Sequence, residues 1–248
     1  MKPGRRPLKV SGALVLAALL AGLPARVAAG DLTGGVTATS DYVLRGVSQT
    51  DGGPALQASL AYQADRGWYA GAWVSTLNAT SWYYPAGEAD TELDVFAGVS
   101  RALAENWAID AHAARYIYPD DGAFLDYDYW ELEAAVIYRD SLRASIAWSP
   151  DASMVSQQRL GKDRTALAYE LGVRQTVLPW MAITAGIGYF DLTDLFSASY
   201  TYWNVGLTAS VGGLTVDLGQ YGSDARGREL FGSHLAEPRT VLTLGIGF

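Results

Sequence analysis

The sequence predicts an all-β fold, a single-chain antiparallel transmembrane β-barrel of about 12 strands, and three observations predict it. Apolar residues recur with period two in run after run. The links between runs alternate between tight turns and longer polar loops. The face opposite the apolar one carries Gly, Ala, Ser and scattered acids, where a soluble sheet would carry lysine. Lys162 is the sole lysine after residue 29. A secreted soluble sandwich or lipocalin-like barrel would also alternate, but its solvent face would be richer in charge.

Taken in chain order, the first 29 residues hold Lys2, Arg5, Arg6, Lys9 and Arg26 and no acid, around the apolar run Gly12 to Leu23, with Ala28 and Ala29 at its exit. This is the layout of a cleaved signal peptide over 1–29, and 12 apolar residues are too few to span a bilayer as a helix. Its removal takes five of the 18 basic residues and none of the 26 acids, leaving 13 against 26, a formal charge of −13. Such a chain is a poor partner for nucleic acid. With no cysteine, stability has to come from packing or a closed hydrogen-bond network. The barrel is assigned to 30–248.

Alternating runs fall at 31–45, 54–64, 68–77, 90–103, 107–119, 126–139, 141–149, 163–177, 180–190, 200–211, 214–222 and 238–248. In the last, Leu242, Leu244, Ile246 and Phe248 share one face. Links after even-numbered runs are tight, such as "DRG", "RDS" and "GG"; those after odd-numbered runs are longer, from "GVSQTDGG" to "GSDARGRELFGSHLAE". That parity predicts short periplasmic turns and longer extracellular loops. Aromatics collect at the short-turn ends (Tyr62, Trp68, Trp107, Tyr138, Trp180, Phe248) and at the long-loop ends (Tyr42, Tyr127, Trp130, Trp148, Tyr189, Tyr200, Trp203), as two interfacial girdles. Trp73 is ambiguous in phase and reads as lipid-facing, with a subunit contact as the alternative. A sheet in hydrocarbon can leave no edge, so the first run should pair with the last.

The stretch "TSDYVLRGVSQTDGGPALQ" resembles the start of a family of proteobacterial outer-membrane proteins described as porins, the TorF family. The likeness continues in "GWYAGAWVSTLN", "TELDVFAG", "RYIYP", "DYDYWELEAAVIY", "AWSPD" and "YWNVGLTASVGGLTVDLGQYGSD". The resemblance implies a Gram-negative outer-membrane barrel of transport function, with outer-membrane lipid and the barrel assembly machinery as partners. It also implies that the aromatic C-terminus, Phe248, is the assembly signal. It supplies no solute.

If the apolar face meets lipid, the lumen carries Glu92, Asp94, Asp110, His112, Glu131, Glu133, Arg143, Glu170, Arg174 and Asp217. Seven acids against two arginines would favour cations. Inward small residues such as Gly98, Ala114, Gly172, Gly188 and Gly219 read as room for water. Asp41, Arg45 and Gln49 read as a polar network at the outer mouth that folds the first loop over the opening, with Gly46 at its sharp turn; a direct ligand role and plain loop solubility are the alternatives. The expectation is a pore for small hydrophilic solutes, with a structural or loop-binding barrel lacking an open channel as the alternative. Enzymatic work on lipid is the weakest reading, since only His112 and His234 are available as a base. Neither a metal nor a cofactor is expected, because no compact ligand motif appears; "RYIYP" reads as girdle.

Overall fold

The computed structural model describes residues 30–77, 89–119, 127–152 and 164–248. The proposed signal segment, most of three long loops and Asp126 lie outside the described residues. Strands are β1 (Gly30–Thr39), β2 (Val43–Leu44), β3 (Val47–Ser48), β4 (Ala55–Ala64), β5 (Trp68–Thr76), β6 (Thr91–Ala104), β7 (Trp107–Ile117), β8 (Tyr129–Tyr138), β9 (Leu142–Ser149), β10 (Ala166–Leu178), β11 (Met181–Leu192), β12 (Ala198–Val211), β13 (Leu214–Ser223) and β14 (Arg239–Gly247).

Twelve of these close a barrel in which β1 pairs with both β4 and β14. The seam holds to the last residue: the Phe248 amide donates to the Gly34 carbonyl at 3.0 Å, and Gly34 returns the bond to Phe248 at 3.2 Å. No barrel edge is left unpaired, which is what a sheet in hydrocarbon requires. Leu132, Val136, Leu171, Ile187, Val205, Leu207, Leu218 and Leu244 stand exposed on the outer surface. The predicted phase therefore holds around the barrel.

Tight turns follow from local backbone chemistry. Arg139 and Asp140 both take φ 53°, a two-residue turn of the mirror-image type whose twist matches the flanking strands. Near two other tight turns the register shifts, between Ala102 and Ala104 and between Thr176 and Leu178. Such bulges add local twist at a rim.

Four expectations need correction. The first run does not continue to residue 45: β1 ends at Thr39, and residues 43–48 fold into the small β2–β3 hairpin. Trp73 faces neither lipid nor a subunit; its ring meets Tyr42 edge-on at 5.4 Å, inside the barrel. Trp68, Trp107, Trp180 and Phe248 at one end, and Trp130, Trp148 and Tyr189 at the other, are exposed as girdle residues should be. Tyr42 and Tyr200 instead turn inward, Tyr127 packs edge-on against Tyr118, and Tyr116 and Tyr118 of "RYIYP" are likewise internal.

The fourth concerns the inward glycines: Gly172 does leave space beside the larger cavity, with nothing nearer than 4.0 Å to a Cβ there, but others do not. A Cβ at Gly98 would collide with the Tyr69 ring, one at Gly188 with Tyr202, one at Gly219 with Tyr221 and one at Gly71 with Phe96. Register explains the first two: Gly98 lies opposite Tyr69 and Gly188 opposite Tyr202. An aromatic ring lies across a neighbouring strand where that strand has no side chain.

The long-loop end is packed as well. A helical turn at Thr193–Phe196, a helix at Ala225–Phe231 capped by the Asp224 carboxylate on the Gly227 amide, and a turn at Ser233–Ala236 supply Phe231 and Leu235. These join Val47, Leu192, Tyr200 and Tyr202 in a buried cluster. Asp194 ties the first helical turn to the start of β10 through the Thr165 amide and Arg164. Those bonds hold its carboxyl below the usual carboxylate range.

Candidate functional site

The first connection builds the site. Asp41 gathers the hydroxyls of Ser48 (2.6 Å) and Thr50 (2.8 Å) on one carboxylate oxygen, while Arg239 of β14 holds the other at 2.7 Å. That accounts for the polar spacing of "SDYVLRGVSQT". Gln49 stays local, its amide donating to the Tyr42 carbonyl and its side chain to the Val47 carbonyl. The hairpin tip is Arg45–Gly46, both at positive φ (48° and 77°). Gly46 is required twice over: besides its φ, a Cβ there would come within 2.7 Å of the Gly222 carbonyl oxygen and 2.9 Å of Tyr202.

The hairpin therefore does not lie over the mouth, as the sequence suggests, but crosses the inside of the barrel. On one wall the Tyr42 hydroxyl donates to Glu92 of β6. On the far side Arg45 forms an ion pair with Glu131 of β8 at 2.8 Å, sits 3.9 Å from Glu170 of β10, and stacks 4.5 Å above the Phe190 ring of β11. Tyr200 of β12 donates to the Arg45 carbonyl at 3.0 Å. Burial, the largest single effect, would loosen the guanidinium's proton, but the Glu131 charge and the surrounding phenols of Tyr129, Tyr202 and Tyr116 together hold Arg45 above its ordinary value. For the Tyr42 phenol, burial and then the Glu92 and Asp94 charges all push upward, so it remains a donor.

Two cavities meet at Leu44 and Arg45. One of about 90 Å³ lies toward the long loops, lined by Tyr129, Leu195, Phe231 and Leu235 among others. The other, about 590 Å³, opens toward the short turns beside Asp140, Arg143, Glu170, Arg174 and Tyr221.

The predicted lumen charges divide into four groups. Arg45 and Glu131 form the first, with Tyr116 and Ser149 donating to the same carboxylate. Asp110, His112, Glu133 and Arg143 form the second: Tyr69 donates to both Asp110 oxygens (2.9 and 3.0 Å), and Arg143 donates to Glu133. In the third, Arg174 donates to the Thr208 hydroxyl, which donates to Asp217 at 2.7 Å. Glu170 belongs with the first group, 3.9 Å from Arg45, and accepts from Tyr202. The fourth is Glu92 and Asp94, each with a buried carboxylate oxygen that has no hydrogen-bond partner among the described residues.

Sequence reasoning placed all ten charges on the inner wall but could not group them. It missed the anchors Ser48, Thr50, Phe190, Tyr200 and Arg239. It also found no metal-ligand cluster, whereas Asp110, His112 and Glu133 bring three ligand atoms within 4.8 Å of one another. The Asp-x-His spacing of "DAH" was the available signal, and it needed the β7–β8 register to become informative.

Comparison with known proteins places this geometry. The NanC porin is similar at TM-score 0.54 and 12% identity, over 89% of this chain and 99% of that one. The KdgM porin is similar at 0.52 and 10%, over 87% and 98%. An outer-membrane channel from Pseudomonas putida F1 is similar at 0.50 and 12%, over 89% and 96%. At such identities the likeness is one of fold. No curated protein matches the chain in sequence. The molecule shares with these porins and this channel the fold of a closed antiparallel transmembrane β-barrel. Residues 26–241 match the model of a family described as bacterial proteins of unknown function, and with most of its length inside that match the chain belongs to this family, Gcw_chp.

Proposed function

We propose that the protein is a narrow outer-membrane channel for small hydrophilic solutes with a weak preference for cations. The observation that carries this reading is the charge balance of the inner wall beside the larger cavity. Glu92, Asp94, Asp110, Glu131, Glu133, Glu170 and Asp217 face inward against Arg45, Arg143 and Arg174. Arg45 and Arg143 are each spent on a carboxylate, and Glu92 is wholly enclosed with Asp94 beside it, so Asp110, Glu170 and Asp217 against Arg174 set the sign of the potential. The resemblance of "SDYVLRGVSQTDGG" to the TorF porins supports a transport role. KdgM has been seen with oligogalacturonate, a polyanion that this acid-rich wall would repel. A lipid-modifying role has little support, since His112 Nδ1 faces the carboxylates of Asp110 and Glu133.

Packing of the hairpin inside the barrel, with the loop helices at the end that bears the long connections, favours a second reading, a closed structural barrel, and one experiment separates the two. Purified protein in a planar bilayer is expected to give discrete conductance steps and a cation-signed reversal potential across a KCl gradient. Glu170→Gln with Asp217→Asn should reduce that potential. These carboxylates are better targets than Glu131 or Glu133 because, among the described residues, neither accepts a hydrogen bond from an arginine, the nearest to Glu170 being Arg45 at 3.9 Å. The difference should fade toward 1 M salt, where charges are screened beyond about 3 Å. Folded protein without steps would favour the closed barrel, and anion preference would overturn the charge argument.

A further inference from the structure

We infer that Asp110, His112 and Glu133 form a binding site for a single first-row divalent transition cation, the class to which Zn²⁺ and Cu²⁺ belong, on the inner wall of the barrel. The inference concerns binding and stands whether or not the lumen conducts.

Strand pairing brings the three together. Asp110 and His112 lie two residues apart on the inward face of β7, and register sets Glu133 of β8 directly opposite His112. His112 Nδ1 is 3.4 Å from Asp110 Oδ1 and 3.9 Å from Glu133 Oε1. A tetrahedral ion with bonds of about 2.1 Å holds its ligand atoms about 3.4 Å apart. All three ligand atoms lie within 4.8 Å of one another, so rotations about the side-chain bonds have to draw them in to that spacing.

The donor set is one imidazole nitrogen and two carboxylate oxygens. Imidazole suits Zn, Cu and Ni, whereas Mg and Ca prefer all-oxygen shells. Three protein ligands leave a fourth position for water.

Outer partners hold the ligands in place. Arg143 donates to Glu133 Oε1, the oxygen that faces His112, and to Ser145 at 2.9 Å, so it has to move for an ion to enter, while Tyr69 donates to both oxygens of Asp110. Hydrogen bonds of this kind orient ligating carboxylates. Arg143 is the electrostatic opponent of a bound cation. Its side chain is 39% exposed and lines the larger cavity, so it has space to withdraw. The trio is also reachable, with side chains 17%, 26% and 13% exposed for Asp110, His112 and Glu133.

The test uses the tag-free, full-length barrel folded in detergent, with heat-modifiable migration confirming the fold of each variant. Calorimetric titration is expected to find one Zn²⁺ per barrel, and Cu²⁺ should give an electron paramagnetic resonance spectrum split by one nitrogen. His112→Ala should abolish the nitrogen splitting and weaken Zn²⁺ at least about tenfold, the lower end of what disturbing a metal site costs; Glu133→Gln should weaken it similarly. His234→Ala, which removes the only other histidine from an exposed loop, should bind as the wild type does. Absence of stoichiometric Zn²⁺ in the wild type, unchanged binding in His112→Ala, or a nitrogen signal that follows His234 would each overturn the site and leave the trio as a hydrogen-bonded network.

Discussion

Arg45 is one residue on which the interior depends. Its guanidinium is almost wholly enclosed, as is the Glu131 carboxylate it meets, so each charge has the other in place of water. Removing one partner of such a pair costs about 3–5 kcal/mol, because the survivor stays buried and uncompensated, while replacing both with apolar groups can be nearly neutral. Arg45→Met should therefore lower stability toward urea by about 3 kcal/mol, and adding Glu131→Leu should restore most of the loss. Equal midpoints for the single and double variants would mean that the pair is not a coupled unit. The sequence singled out Arg45 as unusual and tied it to a loop network. What it could not reveal was the partner, which lies 86 residues away on β8.

Among the elements, β14 and the β2–β3 hairpin do different work. β14 closes the sheet: without it β1 and β13 would both present unpaired amides and carbonyls to lipid, at a cost of several kcal/mol for each group. Deleting residues 240–248 should abolish the heat-modifiable, membrane-inserted form on gel electrophoresis. Wild-type accumulation of the truncated chain would contradict both the seam and a role for Phe248 in assembly. This closure was legible in the sequence, since a terminal alternating run in a barrel has nowhere else to pair. The hairpin was not, because "VLRGVS" continues the alternation of β1 and nothing in a period-two pattern marks where a strand leaves the wall. Two positive φ values at Arg45 and Gly46 turn the chain inward, and Arg239 on Asp41, 198 residues apart, fixes its base.

For the molecule as a whole, the parity of connections sets orientation. Cysteine at Glu105, in an exposed tight turn, should resist a membrane-impermeant maleimide in intact cells, whereas cysteine at Ser233, exposed in the last long connection, should react. The reverse pattern would invert the barrel in the membrane. The two ends also differ in filling. The end bearing the long connections is packed by the helices, the hairpin and inward tyrosines, and the larger cavity lies toward the tight turns. Any solute crossing the barrel would have to pass the hairpin, where the two cavities meet at Leu44 and Arg45.

The sequence by itself determined the number of barrel strands, the face that most of them turn to lipid, and the alternation of tight and long connections. Each of these is a local property: a side-chain period of two, a turn composition, or the cost of placing a charge in hydrocarbon. Only the tertiary structure decided what the inward residues do. Whether Gly98 is open space or a seat for the Tyr69 ring, whether Trp73 meets lipid or Tyr42, and whether Asp110, His112 and Glu133 are three scattered charges or one cluster all depend on register between strands and on the path of one hairpin. Period two assigns a residue to a face but does not say which residue on the next strand stands beside it. That pairing is set by the closure of the whole sheet.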